Sequence, residues 1–185
     1  RVNRLEAGEP GPSVAVTANL HGDECVGVAV IHRLAERLPL ILLRGSVHLY
    51  PSLNPDGLKE GVRNFPRSGT DLNRSFPGKR NGTAAEQHCW FFWKDLCSRE
   101  PGFLIDLHAD CGASVPYVLV DRMTGGGGGR LVERCWEFAV KSSFLPLMEY
   151  PLRQYKSYNL DRSLSGAVLN HLQIPAVTLE VGPRR

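Results

Sequence analysis

Two stretches near opposite ends of the chain, "SVAVTANL" at 13–20 and "AVTLEV" at 176–181, are nearly continuous apolar runs rich in small and β-branched residues. A strand with one wet face would alternate polar and apolar residues, so strands like these belong inside a sheet covered on both sides. Runs at 46–50, 103–107 and 116–120 also read as strands, and helical patterns at 24–37, 84–96, 130–142 and 161–172 lie between them. This alternation predicts an α/β fold: a mixed, largely parallel central sheet flanked by helices on both faces. At 185 residues and 42% hydrophobic content, the expectation is one domain across 1–185.

The charge balance removes some function classes. Twenty-two basic against 19 acidic residues leave +3, and the basic residues are scattered, with no tract interleaved with aromatics. Nucleic acid is therefore not an expected partner. Nor is a membrane: the apolar run "LPLILL" closes at Arg44 and Gly45, far short of the roughly 20 residues a spanning helix needs. Five cysteines form no C-x-x-C pair, and an odd number argues against a closed disulfide framework. They read as small buried residues in a cytoplasmic protein. The chain opens on Arg1 without a leader pattern, as a trimmed or processed chain would.

Segment 53–82 is rich in Asn, Asp, Gly, Pro and Arg and lacks apolar periodicity. A loop of that length is usually functional or disordered, and its dense N-P-D-G and D-L-N-R motifs favour function, with N-P-D-G read as a supporting turn. The five glycines at 125–129 resemble a flexible linker and read as a replaced or shortened loop.

Chemistry concentrates in "HGDE". His21 and Glu24 lie three apart at a junction between a strand end and a helix start, with Gly22 expected to permit the change of direction, so both side chains can enter one cavity. Imidazole and carboxylate are good zinc ligands, and a catalytic zinc takes three protein ligands and one open position. His32, His88 and His171 sit in helical patterns and His48 in mid-strand. Only His108 repeats the setting of His21, closing the apolar strand "FLIDLH" before a polar turn, at the carboxyl end of a strand where an open α/β sheet offers sites. A metal-bound histidine also needs an acceptor for its outer N–H. Asp23 has no assigned role.

The ordered motifs "HGDE", "GVRNFPRSGTDLNRSFPG", "IDLHAD" and "IPAVTLEVG" resemble the zinc carboxypeptidase superfamily, and within it the succinylglutamate desuccinylase and aspartoacylase branch. The resemblance implies one Zn2+ held by His21, Glu24 and His108, with Glu180 as the general base. A carboxylate ending "AVTLEV" is costly to bury without a purpose or a partner, which agrees. It further implies that Arg63 stabilises the oxyanion, with Arg67 as a rival because the spacing to Asp71 varies, that Asn73 and Arg74 grip a substrate carboxylate, and that Asp71 accepts the outer N–H of His21 and fixes its tautomer. A substrate-capping tyrosine is also implied; Tyr158 is taken for it, though no motif separates it from Tyr155. The branch usually carries a further β-rich domain after the base, which would be missing here.

The expected reaction is hydrolysis of an N-acyl amino acid, a small substrate bearing a carboxylate, by a zinc-bound water activated by Glu180. A carboxypeptidase or murein-peptide amidase with the same centre is the alternative. A non-catalytic binding module would be expected to have lost a ligand or the base, and none is lost.

Overall fold

The computed structural model describes residues 3–110, 112–125 and 128–183. Seven strands form one sheet: β1 (Asn3–Glu6), β2 (Ser13–Ala18), β3 (Ser46–Tyr50), β4 (Phe103–Asp110), β5 (Tyr117–Val120), β6 (Leu145–Met148) and β7 (Ala176–Pro183). Their order across the sheet is β1-β3-β2-β4-β7-β5-β6. The two apolar strands predicted to lie inside the sheet, β2 and β7, each pair parallel with β4 between them, and β3 runs parallel to β2. β1 and β5 pair antiparallel with β3 and β7, and β6 runs parallel to β5. The sheet is thus mixed and largely parallel, as the sequence pattern predicts.

Helices cover both faces. Helix α1 (Val26–Ile41) packs Ile31 on Val16, Ala18, Val47, Leu49 and Leu107. On the same side α4 (Gly129–Lys141) sets Cys135 and Ala139 against Val118, Val120 and Val177. The opposite face takes α3 (Ala84–Ser98) and α6 (Leu164–Ala167), which close over Ala15, Leu104 and Ala176. Since strand side chains alternate, β4 sends Ile105 and Leu107 toward α1, and Leu104, Asp106 and His108 toward α3 and α6. That second face is where the polar side chains gather.

Several expectations are corrected. Helix α1 begins at Val26, so Glu24 precedes the helix and sits in the loop before it. N-P-D-G is the first turn of a short helix, α2 (Pro55–Glu60): Asn54 caps it by accepting from Gly57 N at 3.0 Å, Pro55 takes the first position and Gly61 ends it in the left-handed region. The pattern at 161–172 divides into a 3-10 turn (Leu160–Arg162), α6 capped by Ser163, and a wide π turn (Val168–Leu172). β1, β6 and α5 (Leu152–Ser157) were not anticipated. Of the cysteines, Cys89 and Cys135 are buried and Cys97 partly so, but Cys25 is exposed; Cys111 lies outside the described residues, as do Gly126 and Gly127 of the glycine tract. Among the described residues no helix is long and apolar enough to cross a membrane.

Candidate metal centre and its cavity

The turn after β2 determines where His21 and Glu24 point. Asn19 adopts φ 57°, a left-handed conformation that asparagine tolerates better than most residues. Its buried amide nitrogen then donates to the carbonyls of His21, Gly22 and Glu24 at 3.0, 3.1 and 3.2 Å, while its Oδ1 accepts from Ser52 at 2.6 Å. One side chain therefore ties the whole turn together. Asn19, and not Gly22, makes the reversal. Gly22 is needed for space: a Cβ there would lie 2.2 Å from the Gly57 carbonyl carbon and 2.5 Å from Val62 O. That close approach lets Gly22 N donate to Arg63 O at 3.1 Å and docks the 53–82 segment onto the turn.

His21, Glu24 and His108 converge, with one ligand atom from each lying within 4.8 Å of the others and all three residues buried. His21 Nδ1 is 2.7 Å from Glu24 Oε1; His108 Nδ1 is 3.0 Å from Glu24 Oε2 and 3.2 Å from His21 Nδ1. The outer nitrogens face carboxylates, His21 Nε2 at 3.3 Å from Asp71 Oδ1 and His108 Nε2 at 2.9 Å from Asp106 Oδ2. With each Nε2 donating outward, both Nδ1 lone pairs and the Glu24 oxygens face one point. Such a donor set repels itself unless a cation, proton or metal, sits among it, so the residues fit a metal of zinc's ligand preference.

The titration behaviour follows from this packing. Burial pushes the Glu24 carboxyl up, but hydrogen bonds from His108 and His21 outweigh it and hold the group well below the usual carboxylate range. Burial would likewise lower His108, yet Asp106 and Glu24 raise it well above an ordinary imidazole. Asp71 is held low mainly because bonding to His21 overcomes its own burial.

Beside these ligands is a cavity of about 130 Å³ lined by His21, Arg63, Asn73, Arg74, His108, Leu119, Glu149, Leu160, Ser163, Thr178 and Glu180. Strand register explains Glu180: it stands directly opposite His108 on the neighbouring parallel strand, as Thr178 stands opposite Asp106. Burial, with Glu24 and Asp110 nearby, pushes the Glu180 carboxyl up to about 7 against the opposing pull of His108, and its buried Oε2 has no hydrogen-bond partner among the described residues. Arg63 reaches Glu24 Oε1 at 3.2 Å and Asp71 Oδ2 at 3.6 Å. Its rival Arg67 pairs with Asp56 at 3.1 Å and borders a separate groove of about 340 Å³ that holds none of the three ligands. Asn73 Oδ1 accepts from Leu164 N at 2.8 Å, so part of its bonding capacity anchors α6, and Arg74 Nη1 donates to Asn73 O at 2.7 Å.

Neither tyrosine lines this cavity. Tyr158 is half exposed, its ring 5.1 Å from that of Tyr150, and Tyr155 is fully buried with its hydroxyl donating to Asp121 at 2.8 Å. Besides the cavity-lining Leu119, Leu160, Ser163 and Thr178, four residues that shape the site were not singled out from the sequence. Asp106 had a readable signal, since D-x-H on a strand places both side chains on one face. Asn54 also had one, as a cap before Pro55; its amide nitrogen donates to Leu20 O and Arg63 O at 3.3 and 3.4 Å. Asn19 and Glu149 had none.

The family model for the succinylglutamate desuccinylase/aspartoacylase catalytic domain matches residues 10–185. The N-alpha-acetyl-L-2,4-diaminobutyric acid deacetylase of Halomonas elongata is 33% identical over 108 residues, covering 58% of this chain and 31% of that protein. Carboxypeptidase E of Caenorhabditis elegans is 28% identical over 120 residues, covering 49% and 25%. The crystal structure of an aspartoacylase family protein from Mesorhizobium loti superposes with a TM-score of 0.82 at 23% identity, covering 98% of this chain and 55% of that one. The chain thus spans about a third of the deacetylase and about half of the solved structure. From the match over residues 10–185 and the shared fold, the chain belongs to the succinylglutamate desuccinylase/aspartoacylase family, in its catalytic domain.

Proposed function

We propose that this chain is the catalytic part of a zinc-dependent amide hydrolase that deacylates an N-acyl amino acid. The observation that carries the proposal is the convergence of His21, Glu24 and His108 at a cavity that also receives Glu180, Arg63 and Arg74. A zinc ion held by those three ligands would supply Lewis-acid polarisation of the amide carbonyl and acidify water. Asp106 and Asp71 hold the outer N–H groups of His108 and His21 and so keep each Nδ1 free to serve as ligand. Glu180 takes a proton from water and returns it to the departing amine, work open to a cavity-lining carboxyl whose Oε2 has no hydrogen-bond partner among the described residues. Arg63 donates to the oxygen on which charge develops, and Arg74 with Asn73 holds the substrate carboxylate.

The small cavity supports a compact N-acyl amino acid over a polypeptide, and the similarity to a deacetylase points the same way. The similarity to a carboxypeptidase keeps peptide hydrolysis as the second reading. The same proposal takes residues 1–185 as one catalytic unit working in the cytoplasm on a small molecule. Its test combines metal analysis with a substrate panel of N-acyl amino acids, C-terminal peptides and γ-glutamyl peptides. Near-stoichiometric zinc, deacylation, and a Glu180→Gln variant that keeps metal but loses turnover are expected. Turnover confined to peptides would overturn the deacylase reading, and an active Glu180→Gln protein would overturn the base assignment.

A further inference from the structure

Glu149 enters the cavity from the residue just after β6, on an element the ligand cluster does not use. Its backbone is held from both sides: Glu149 N donates to Val120 O at 3.0 Å, and Arg122 Nε donates to Glu149 O at 3.0 Å and also to Tyr150 O. The side chain therefore projects from a fixed support. Burial pushes its carboxyl above the usual carboxylate range, opposed by the Tyr150 backbone N–H and, through space, by Arg74 and Arg122; among the described residues it forms no close ion pair.

The charges lining the cavity are unevenly satisfied. Arg63 is already neutralised by Glu24 and Asp71. Arg74 donates to a neutral carbonyl, that of Asn73, and among the described residues has no carboxylate in ion-pair contact. One available cation and one available carboxylate thus line the same small space without pairing with each other. A ligand bearing both a carboxylate and an ammonium satisfies both; a dicarboxylate would set its second charge against Glu149.

We propose that Glu149 is the specificity-determining residue of this cavity, pairing with the side-chain ammonium of an N-acyl diamino acid whose carboxylate is held by Arg74. This rests on the deacylase reading above. It predicts that N-acyl diamino acids are favoured over N-acyl derivatives of aspartate or glutamate.

The test measures binding by calorimetry to zinc-loaded Glu180→Gln protein, in which no turnover is expected. The probes are N-α-acetyl-L-2,4-diaminobutyrate, N-acetyl-L-2-aminobutyrate, which lacks the ammonium, and N-acetyl-L-aspartate. One charge-assisted bond should make the diamino probe bind about ten- to a hundredfold tighter than the neutral one, with aspartate weakest. Adding Glu149→Gln should bring the ratio of diamino to neutral affinity close to one. Equal affinities before that change, a ratio that survives it, or an equal weakening of all probes, as a residue that merely positions Arg74 would give, overturns the proposal. So does failure of every probe to bind. Turnover by the unsubstituted enzyme is read separately, so a protein that shows the binding preference yet hydrolyses none of the probes refutes the deacylase reading and leaves the Glu149 assignment standing.

Discussion

Replacing Asp106 by asparagine should weaken metal binding far more than it weakens the fold. Asp106 is fully buried, its Oδ2 2.9 Å from His108 Nε2 and its Oδ1 2.6 Å from Thr17 Oγ1. An asparagine of the same shape can keep both contacts, with its amide oxygen toward His108 and its amide nitrogen toward Thr17, whose hydroxyl turns to accept and has Ile105 O as another acceptor at 3.5 Å. The cost in folding is then about 1 kcal/mol. What disappears is the negative charge behind the imidazole. A charge-assisted bond is roughly twice as strong as a neutral one, and losing such an outer partner typically costs about 10- to 100-fold in metal affinity, or about 1.4 to 2.7 kcal/mol. Asp71→Asn provides the internal comparison. Its bond to His21 is longer, at 3.3 Å, and its side chain is 26% exposed against none for Asp106, so water already screens it and its loss should cost under about tenfold. The assay is competition for zinc against a chromophoric chelator, with urea unfolding of the metal-free proteins alongside. A well-folded Asp106→Asn protein with unchanged affinity, or a larger loss in Asp71→Asn, would refute the reasoning, and so would a failure of Asp106→Asn to fold.

Two further outcomes follow from the packing. Asp121 is buried, and burial, reinforced by Glu149 and opposed by hydrogen bonds from Ser165 and Tyr155, pushes its carboxyl from 3.8 up to about 7. Because the folded state holds that proton more tightly, this contribution to stability is fully present below about pH 4 and is lost as pH rises through 7, by on the order of 4 kcal/mol. Asp121→Asn cannot ionise, so its urea-unfolding free energy should gain on the unsubstituted protein across that window, and parallel pH curves would contradict the account. For Gly22→Ala, the added methyl would meet the Gly57 and Val62 backbone at 2.2 to 2.5 Å, so the 53–82 segment must move off the His21 turn. A loss of about 3 kcal/mol together with weakened zinc binding is expected, and unchanged values in thermal melting and chelator competition would argue that the segment is not docked through this contact.

Much of the scaffold was legible because its signals are local. β2 and β7 announce themselves by near-continuous apolar runs, which only burial on both faces tolerates, and α3 and α4 by helical patterns at 84–96 and 130–142. The short edge strands β1 and β6 were not legible: their residues are mostly exposed, so burial imposes no period on them. The helix expected from Glu24 starts two residues later, since the carboxylate is directed by the turn that Asn19 organises and not by helical geometry.

The same division runs through the candidate site. From residue type and spacing alone, the sequence determined that two imidazoles and a carboxylate sit beside strand ends, and that a further carboxylate interrupts an apolar strand; those are properties of short segments. Only the tertiary structure decided that Arg63 and not Arg67 lines the cavity, that Tyr155 and Tyr158 stay outside it, and that Glu149 comes in from the far end of the sheet. The physical reason is that side-chain direction in a strand or helix is set by a local period, whereas in the 53–82 segment and after β6 it is set by contacts with residues distant in the chain, such as those of Gly22 with Arg63 and of Arg122 with Glu149.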